Sequence, residues 1–220
     1  MKAIDELFAA PNWDQTRREE IANCVSHGFG LAATIVATPF LYVAAARQPN
    51  QSFFVGTIIV VATMWLLYLC STVYHAWPRT RLKCAFQILD HAAIFLLIAG
   101  TYSPFTLGPM RGALGWTIFA GVWLFALAGV IFKFRTGVRW KKLSLLLYLG
   151  MSWLILLVFR HLILVVPTAT VIWLLAGGVA YTSGLIFFAN QRLRYGHFVW
   201  HLFVLTGTAC HFCAIFSCAA

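Results

Sequence analysis

Seven long apolar runs alternate with short polar segments along the chain, at about residues 22–46, 53–75, 84–107, 113–133, 143–159, 167–189 and 197–217. Each is close to the roughly 20 apolar residues that an α-helix needs to cross about 30 Å of hydrocarbon. The segments between them are RQPNQ, AWPRTRLK, GPMRG, KFRTGVRWKK, the Arg160-His161 pair and NQRLRYG. They are short and rich in Gly, Pro or basic residues, as turns are. Neighbouring helices should therefore run antiparallel, in an all-α bundle of seven transmembrane helices. One boundary has two readings: VFRHLILVVPTATV is either a tight external turn or one helix kinked at Pro167, which would leave six spans.

Charge decides for seven. The N-terminal stretch carries Lys2, Arg17 and Arg18; the second-to-third loop Arg79, Arg81 and Lys83; the fourth-to-fifth Lys133, Arg135, Arg139, Lys141 and Lys142; the sixth-to-seventh Arg192 and Arg194. That puts thirteen cations on one side, against Arg47, Arg111 and Arg160 on the other. The split follows the positive-inside rule and predicts a cytosolic N-terminus and an external C-terminus. Residues 1–20 then form a cytosolic stretch and 21–218 the transmembrane domain.

Composition agrees: 61% of the 220 residues are hydrophobic, 10% are charged and the mean hydropathy is +0.83. Seven helices use nearly the whole length, leaving no second domain to carry function. The net charge of +10 reads as attraction to anionic lipid heads, and nothing points to nucleic acid. Five of the six acids lie in the first 20 residues, so no cleavable signal peptide is expected there and the first helix is the expected insertion signal, which makes a bacterial plasma (inner) membrane the expected location. Met1, Ile4, Leu7 and Phe8 form a short interfacial stripe or a solvated tail. Cys24, Cys70 and Cys84 fall near the reducing cytosolic side, and Cys210, Cys213 and Cys218 share one apolar helix as small packing residues.

Chemistry enters with polar residues that hydrocarbon should exclude. Asp90 is the only carboxylate after residue 20, just inside the third helix at the cytosolic side. An ionisable group in a span marks a functional site by default, although an acid at a helix N-terminus is also favoured by the dipole. Ser71 and His75 end the second helix four residues apart, on one face and about 6 Å apart along the axis. His197 and His201 repeat that spacing where the seventh helix begins. A lone HxxxH pair is as compatible with packing. A third histidine and the sole intramembrane acid at matching depth point to a metal site.

Three neutral imidazoles with one open position suit catalytic zinc (Zn2+), which brings the pKa of a water to near 7. Asp90 could act as general base and Ser71 could hydrogen-bond the water or a substrate carbonyl, or both could orient other groups. Glu20, Asn23 and His27 share one face of the first helix near the same depth, where they support the metal ligands, line the substrate entrance, or serve packing and capping. His91, turned about 100° from Asp90, should meet another helix or the headgroups. His211, about 15 Å along the axis from His201, lies outside the metal shell. Gly177, Gly178, Ser183 and Gly184 should permit close helix approach.

Glu20-x-x-Asn23-x-x-x-His27-Gly28, Ser71-x-x-x-His75, Asp90-His91 with the later IAGTYSPF, GGVAYTSG and His197-x-x-x-His201 together resemble the bacterial hemolysin III proteins, the prokaryotic branch of the progestin and adipoQ receptor family. The resemblance runs in order from about residue 19 to 217. That family belongs to a wider group of membrane proteins thought to be metal-dependent hydrolases, including alkaline ceramidases. The resemblance implies that His75, His197 and His201 bind zinc, that Asp90 holds the metal water and that Ser71 is the site serine. Its eukaryotic receptors have longer N-terminal domains, so no hormone-receptor role is expected. The expected function is a zinc-dependent intramembrane hydrolase cleaving a lipid amide or ester at the cytosolic leaflet, with membrane lipids as partners. The alternative is a non-enzymatic regulator, lipid sensor or pore-forming cytolytic protein with a structural metal.

Overall fold

The computed structural model describes residues 15–190 and 192–219. Seven helices long and apolar enough to cross a membrane follow one another: α1 (Arg17–Ala46), α2 (Gln51–Ala76), α3 (Arg81–Leu107), α4 (Ala113–Thr136), α5 (Lys141–Val165), α6 (Thr168–Ala189) and α7 (Gly196–Ala219). No strand occurs among the described residues. The stripe of Met1, Ile4, Leu7 and Phe8 lies outside them.

α1 begins at Arg17 and so takes in the end of the stretch expected to precede the helix. Thr16 is the reason. Its Oγ1 accepts the Glu19 N–H at 3.3 Å while the Glu19 carboxylate accepts the Thr16 N–H at 2.8 Å, a reciprocal cap that carries the helix into polar sequence. Lys83 and Lys133, counted above as loop cations, are likewise inside terminal helical turns and buried. They stay at the same end of the bundle.

The turn between α5 and α6 is also displaced. Arg160 and His161 are not in it; they lie in a helical segment, Phe159–Val165, and the break falls at Val166 and Pro167. Proline's ring crowds the preceding residue out of the helical region, and Val166 is accordingly extended at φ −124°, ψ 154°. Pro167 then leads α6, where its missing N–H is no loss. Within α5 the helix tightens into a 3-10 turn at Leu154–Val158. Tyr102 of α3 repairs the backbone there: its hydroxyl lies 2.9 Å from the carbonyl oxygens of Met151 and Ser152 and accepts the Ile155 N–H at 3.1 Å.

Helices α1 to α4 pack in chain order, α6 packs on α7, and α7 returns against α1, while α5 touches its neighbours sparsely. The inner helices are α2, α3 and α7, with 50%, 56% and 44% of their most apolar stretch buried, against 22% or less for the rest. Glycine lets them approach. A Cβ on Gly56 would fall 2.6 Å from Pro104 Cα of α3, and one on Gly184 would fall 2.6 Å from Phe203 Cβ of α7. Gly177 does the same against His211, whereas Gly178 has ordinary contact distance to Trp153. All six cysteines are free, including Cys210 and Cys213.

Because the cations gather at one end, orientation can be read with reporters. A periplasmic-type reporter fused after Ala220 should be active, and one fused between Thr136 and Lys141 should be active only if it works in the cytosol. The reverse pattern would move the basic end outward.

Candidate metal centre

The inner helices bring the polar residues together at the basic end. His75 (4% exposed) comes from the last turn of α2, His201 (1%) and the half-buried His197 from the first turns of α7, and Asp90 (6%) from α3. One ligand nitrogen from each histidine lies within 4.8 Å of the others. The rings of His75 and His197 are 5.1 Å apart, those of His75 and His201 5.0 Å, and those of His197 and His201 4.7 Å.

α1 orients two of these rings. His75 Nδ1 is 2.7 Å from Glu20 Oε2, and since a carboxylate only accepts, Nδ1 carries the proton and Nε2 keeps its lone pair. His201 Nδ1 lies 3.2 Å from the Asn23 carbonyl oxygen and 3.0 Å from Ser26 Oγ, which itself donates to that carbonyl at 2.8 Å. The carbonyl again fixes the proton on Nδ1. Nε2 of both His75 and His197 is buried without a hydrogen-bond partner. Orphaned imidazole nitrogens converging at one point fit a transition metal, for which neutral imidazole is a common ligand.

All three residues singled out on α1 reach the histidines, each differently. Glu20 touches His75 through its carboxylate. Asn23 reaches His201 through its backbone, while its side-chain amide donates to Gln15 Oε1 at 2.7 Å. His27 stacks on His201, ring centroids 3.5 Å apart and planes 5° from parallel.

Asp90, His27, His197 and His201 line an interior cavity of about 110 Å3 whose walls are otherwise mostly apolar. It continues to Thr106, sixteen residues along α3 from Asp90 and hence about 24 Å away. Ser71 does not line it. Its Oγ is buried beside the Asp90 carboxyl without completing a hydrogen bond. His91 meets another helix, its ring 5.8 Å from Phe188 of α6. His211 lines the far part of the cavity, well away from the three clustered histidines.

A profile of haemolysin-III related proteins matches residues 15–212. The chain belongs to that family. It is 42% identical over 200 residues to Hemolysin-3 of Bacillus cereus, covering 90% of this chain and 91% of the relative. It is 40% identical over 204 residues to the Hemolysin-3 homolog of Bacillus subtilis (strain 168), covering 92% and 96%. The Monocyte to macrophage differentiation factor of Homo sapiens is 30% identical over 208 residues, covering 90% and 83%. With its seven apolar helices, this haemolysin-III related chain is a multi-pass membrane protein.

Three residues that support this family member's centre escaped the sequence. Ser26 lies three residues from Asn23 on the same helical face, a spacing that could have drawn attention to it. Lys83 read as a loop cation, yet its Nζ lies 3.1 Å from Glu20 Oε1 and donates to the carbonyls of Tyr74 at 2.8 Å and Trp77 at 3.1 Å. It thus anchors Glu20 and satisfies the end of the helix that carries His75. Glu19, besides capping α1, accepts the Tyr195 N–H at 2.8 Å and holds that left-handed residue (φ 57°) two positions before His197.

Loss of an orienting partner typically weakens metal affinity by about 10- to 100-fold. Glu20→Gln and Lys83→Met should each do so, measured by competition with a chelating dye on purified, helical protein. Parental affinity in Glu20→Gln would refute the orienting role.

Proposed function

We propose that the protein is a zinc-dependent hydrolase of the membrane interior, cleaving an amide or ester bond of a lipid. The observation that carries this reading is the convergence of His75, His197 and His201 beside a mostly apolar cavity that also holds Asp90. When bound, zinc supplies a Lewis acid and an activated water nucleophile at neutral pH. His75, His197 and His201 would hold the ion. Asp90, the one acid in that cavity, takes up the proton released as water attacks, and later returns it to the leaving amine or alcohol. Ser71 Oγ lies beside the Asp90 carboxyl and is available to donate a hydrogen bond to it. The apolar walls beyond receive the acyl chain and exclude bulk water. We read the location as a bacterial plasma membrane with the site toward the cytosolic leaflet, supported by the cations at that end.

The name of the Bacillus cereus relative favours a second reading, a membrane-lytic protein whose metal is structural. Dye release from liposomes that persists in both His75→Ala and Asp90→Asn would support it over hydrolysis.

Metal analysis tests the first reading. Purified protein should carry stoichiometric zinc, and His75→Ala, His197→Ala or His201→Ala should lose most of it, with some stability, because metal bound to the folded form adds to folding free energy. Asp90→Asn should keep zinc while turnover falls by about 100- to 10,000-fold, the range for a lost general acid or base. Thermal unfolding with and without chelator separates them: His75→Ala should not respond and Asp90→Asn should. If Asp90→Asn loses zinc as fully as His75→Ala, Asp90 is a ligand and the catalytic reading fails.

A further inference from the structure

A second depression lies on the other side of the Glu20–His75 pair, and the proposed hydrolysis makes no use of it. It is an open groove of about 650 Å3 at the basic end, between the start of α1 and the turn from α2 to α3. Arg17 and Arg79 bring two cations to it, Lys83 lines it with its ammonium turned to Glu20 and the carbonyls of Tyr74 and Trp77, Trp77 stands at its edge, and Ile21 and Val25 lead from it down the outside of α1. Arg79 is held at the rim by donating from Nη2 to the Gln15 carbonyl at 2.6 Å. The one acid present, Glu20, already has its two oxygens engaged by His75 and Lys83.

We propose that this groove binds the phosphate headgroup of an anionic phospholipid, whose acyl chain lies along Ile21, Val25 and Phe29.

The chemistry and the dimensions agree. Arg17, Ile21, Val25 and Phe29 are four residues apart and share one helical face, a cation followed by three apolar side chains. These three are 54%, 64% and 69% exposed, so no helix among the described residues covers the stripe. From Arg17 to Phe29 the rise is about 18 Å, close to the roughly 15 Å depth of one hydrocarbon leaflet. Guanidinium groups match phosphate oxygens in pairs, and basic pockets at helix ends are where anionic headgroups bind. Trp77, 38% exposed, stands where an indole favours the headgroup boundary.

Thermal unfolding of the full-length protein in a mild neutral detergent tests this, titrated with dioleoylphosphatidylglycerol, dioleoylphosphatidylcholine or inorganic phosphate. Phosphatidylglycerol should raise the midpoint by about 3 °C or more beyond phosphatidylcholine, and inorganic phosphate should not. Each variant is compared with its own lipid-free midpoint. Arg17→Gln/Arg79→Gln should lose most of the phosphatidylglycerol increment. Arg135→Gln/Lys142→Gln removes the same charge from the same end and should keep it. The proposal is overturned if the first pair keeps the increment, if the second loses as much, or if inorganic phosphate reproduces the shift. With chelator present the increment should persist, and its loss would also overturn the proposal. A protein lacking zinc would therefore end the hydrolase reading without affecting this one.

Discussion

The buried junction where Glu20 meets His75 at 2.7 Å and Lys83 at 3.1 Å joins α1, α2 and α3, and the geometry of the centre depends on it. An imidazole inside hydrocarbon has no water to complete its hydrogen bonds, so the protein must settle which nitrogen carries the proton and where the other points. Glu20 does this for His75. The Asn23 carbonyl does it for His201. α1 therefore contributes none of the three clustered histidines and yet aims two of them. Lys83 extends the arrangement, because the ammonium that holds Glu20 also accounts for carbonyls at the end of α2.

Much of this was legible in the sequence because hydrocarbon is an unforgiving solvent. Apolar runs of membrane length revealed seven spans, and the polar residues interrupting them marked the centre. Asp90, His75, His197 and His201 were conspicuous for being there at all. What stayed hidden was partnership. A lysine in a terminal turn reads as solvated whether it reaches for lipid heads or, like Lys83, turns inward. Asn23 drew attention for its amide, but its backbone oxygen meets His201, and no side-chain pattern encodes that. Arg160 and His161 suggested a turn by their polarity, whereas the steric demand of Pro167 on Val166 decided where the chain breaks.

Helix association in lipid gains little from the hydrophobic effect, so close packing must come from shape. Gly56 and Gly184 provide it where α2 meets α3 and α6 meets α7, fixing the helices that carry the histidines and Asp90. α5 is treated differently. Gly150 has nothing within 4 Å of its would-be Cβ, the helix is broken at Leu154–Val158, and Tyr102 rather than a packed neighbour satisfies the backbone there. Close helix approach is concentrated on the helices that carry the centre, while α5 touches its neighbours sparsely.

Electrostatics explains why acids are so few and where they stand. A divalent ion among three neutral imidazoles would bring two positive charges into a low-dielectric interior, at a cost far above that of burying the histidines alone. Compensation must come from nearby carboxylates, because counterions in water are screened from such a site. Beyond the capping Glu19, the described helices contain two acids, Glu20 and Asp90, and both are at the centre. Lys83 returns one positive charge, but it sits behind Glu20, where it orients that carboxylate toward His75. The placement makes sense for a bound cation. Without one, a bundle of this hydropathy would be better served by no acid at Asp90 at all.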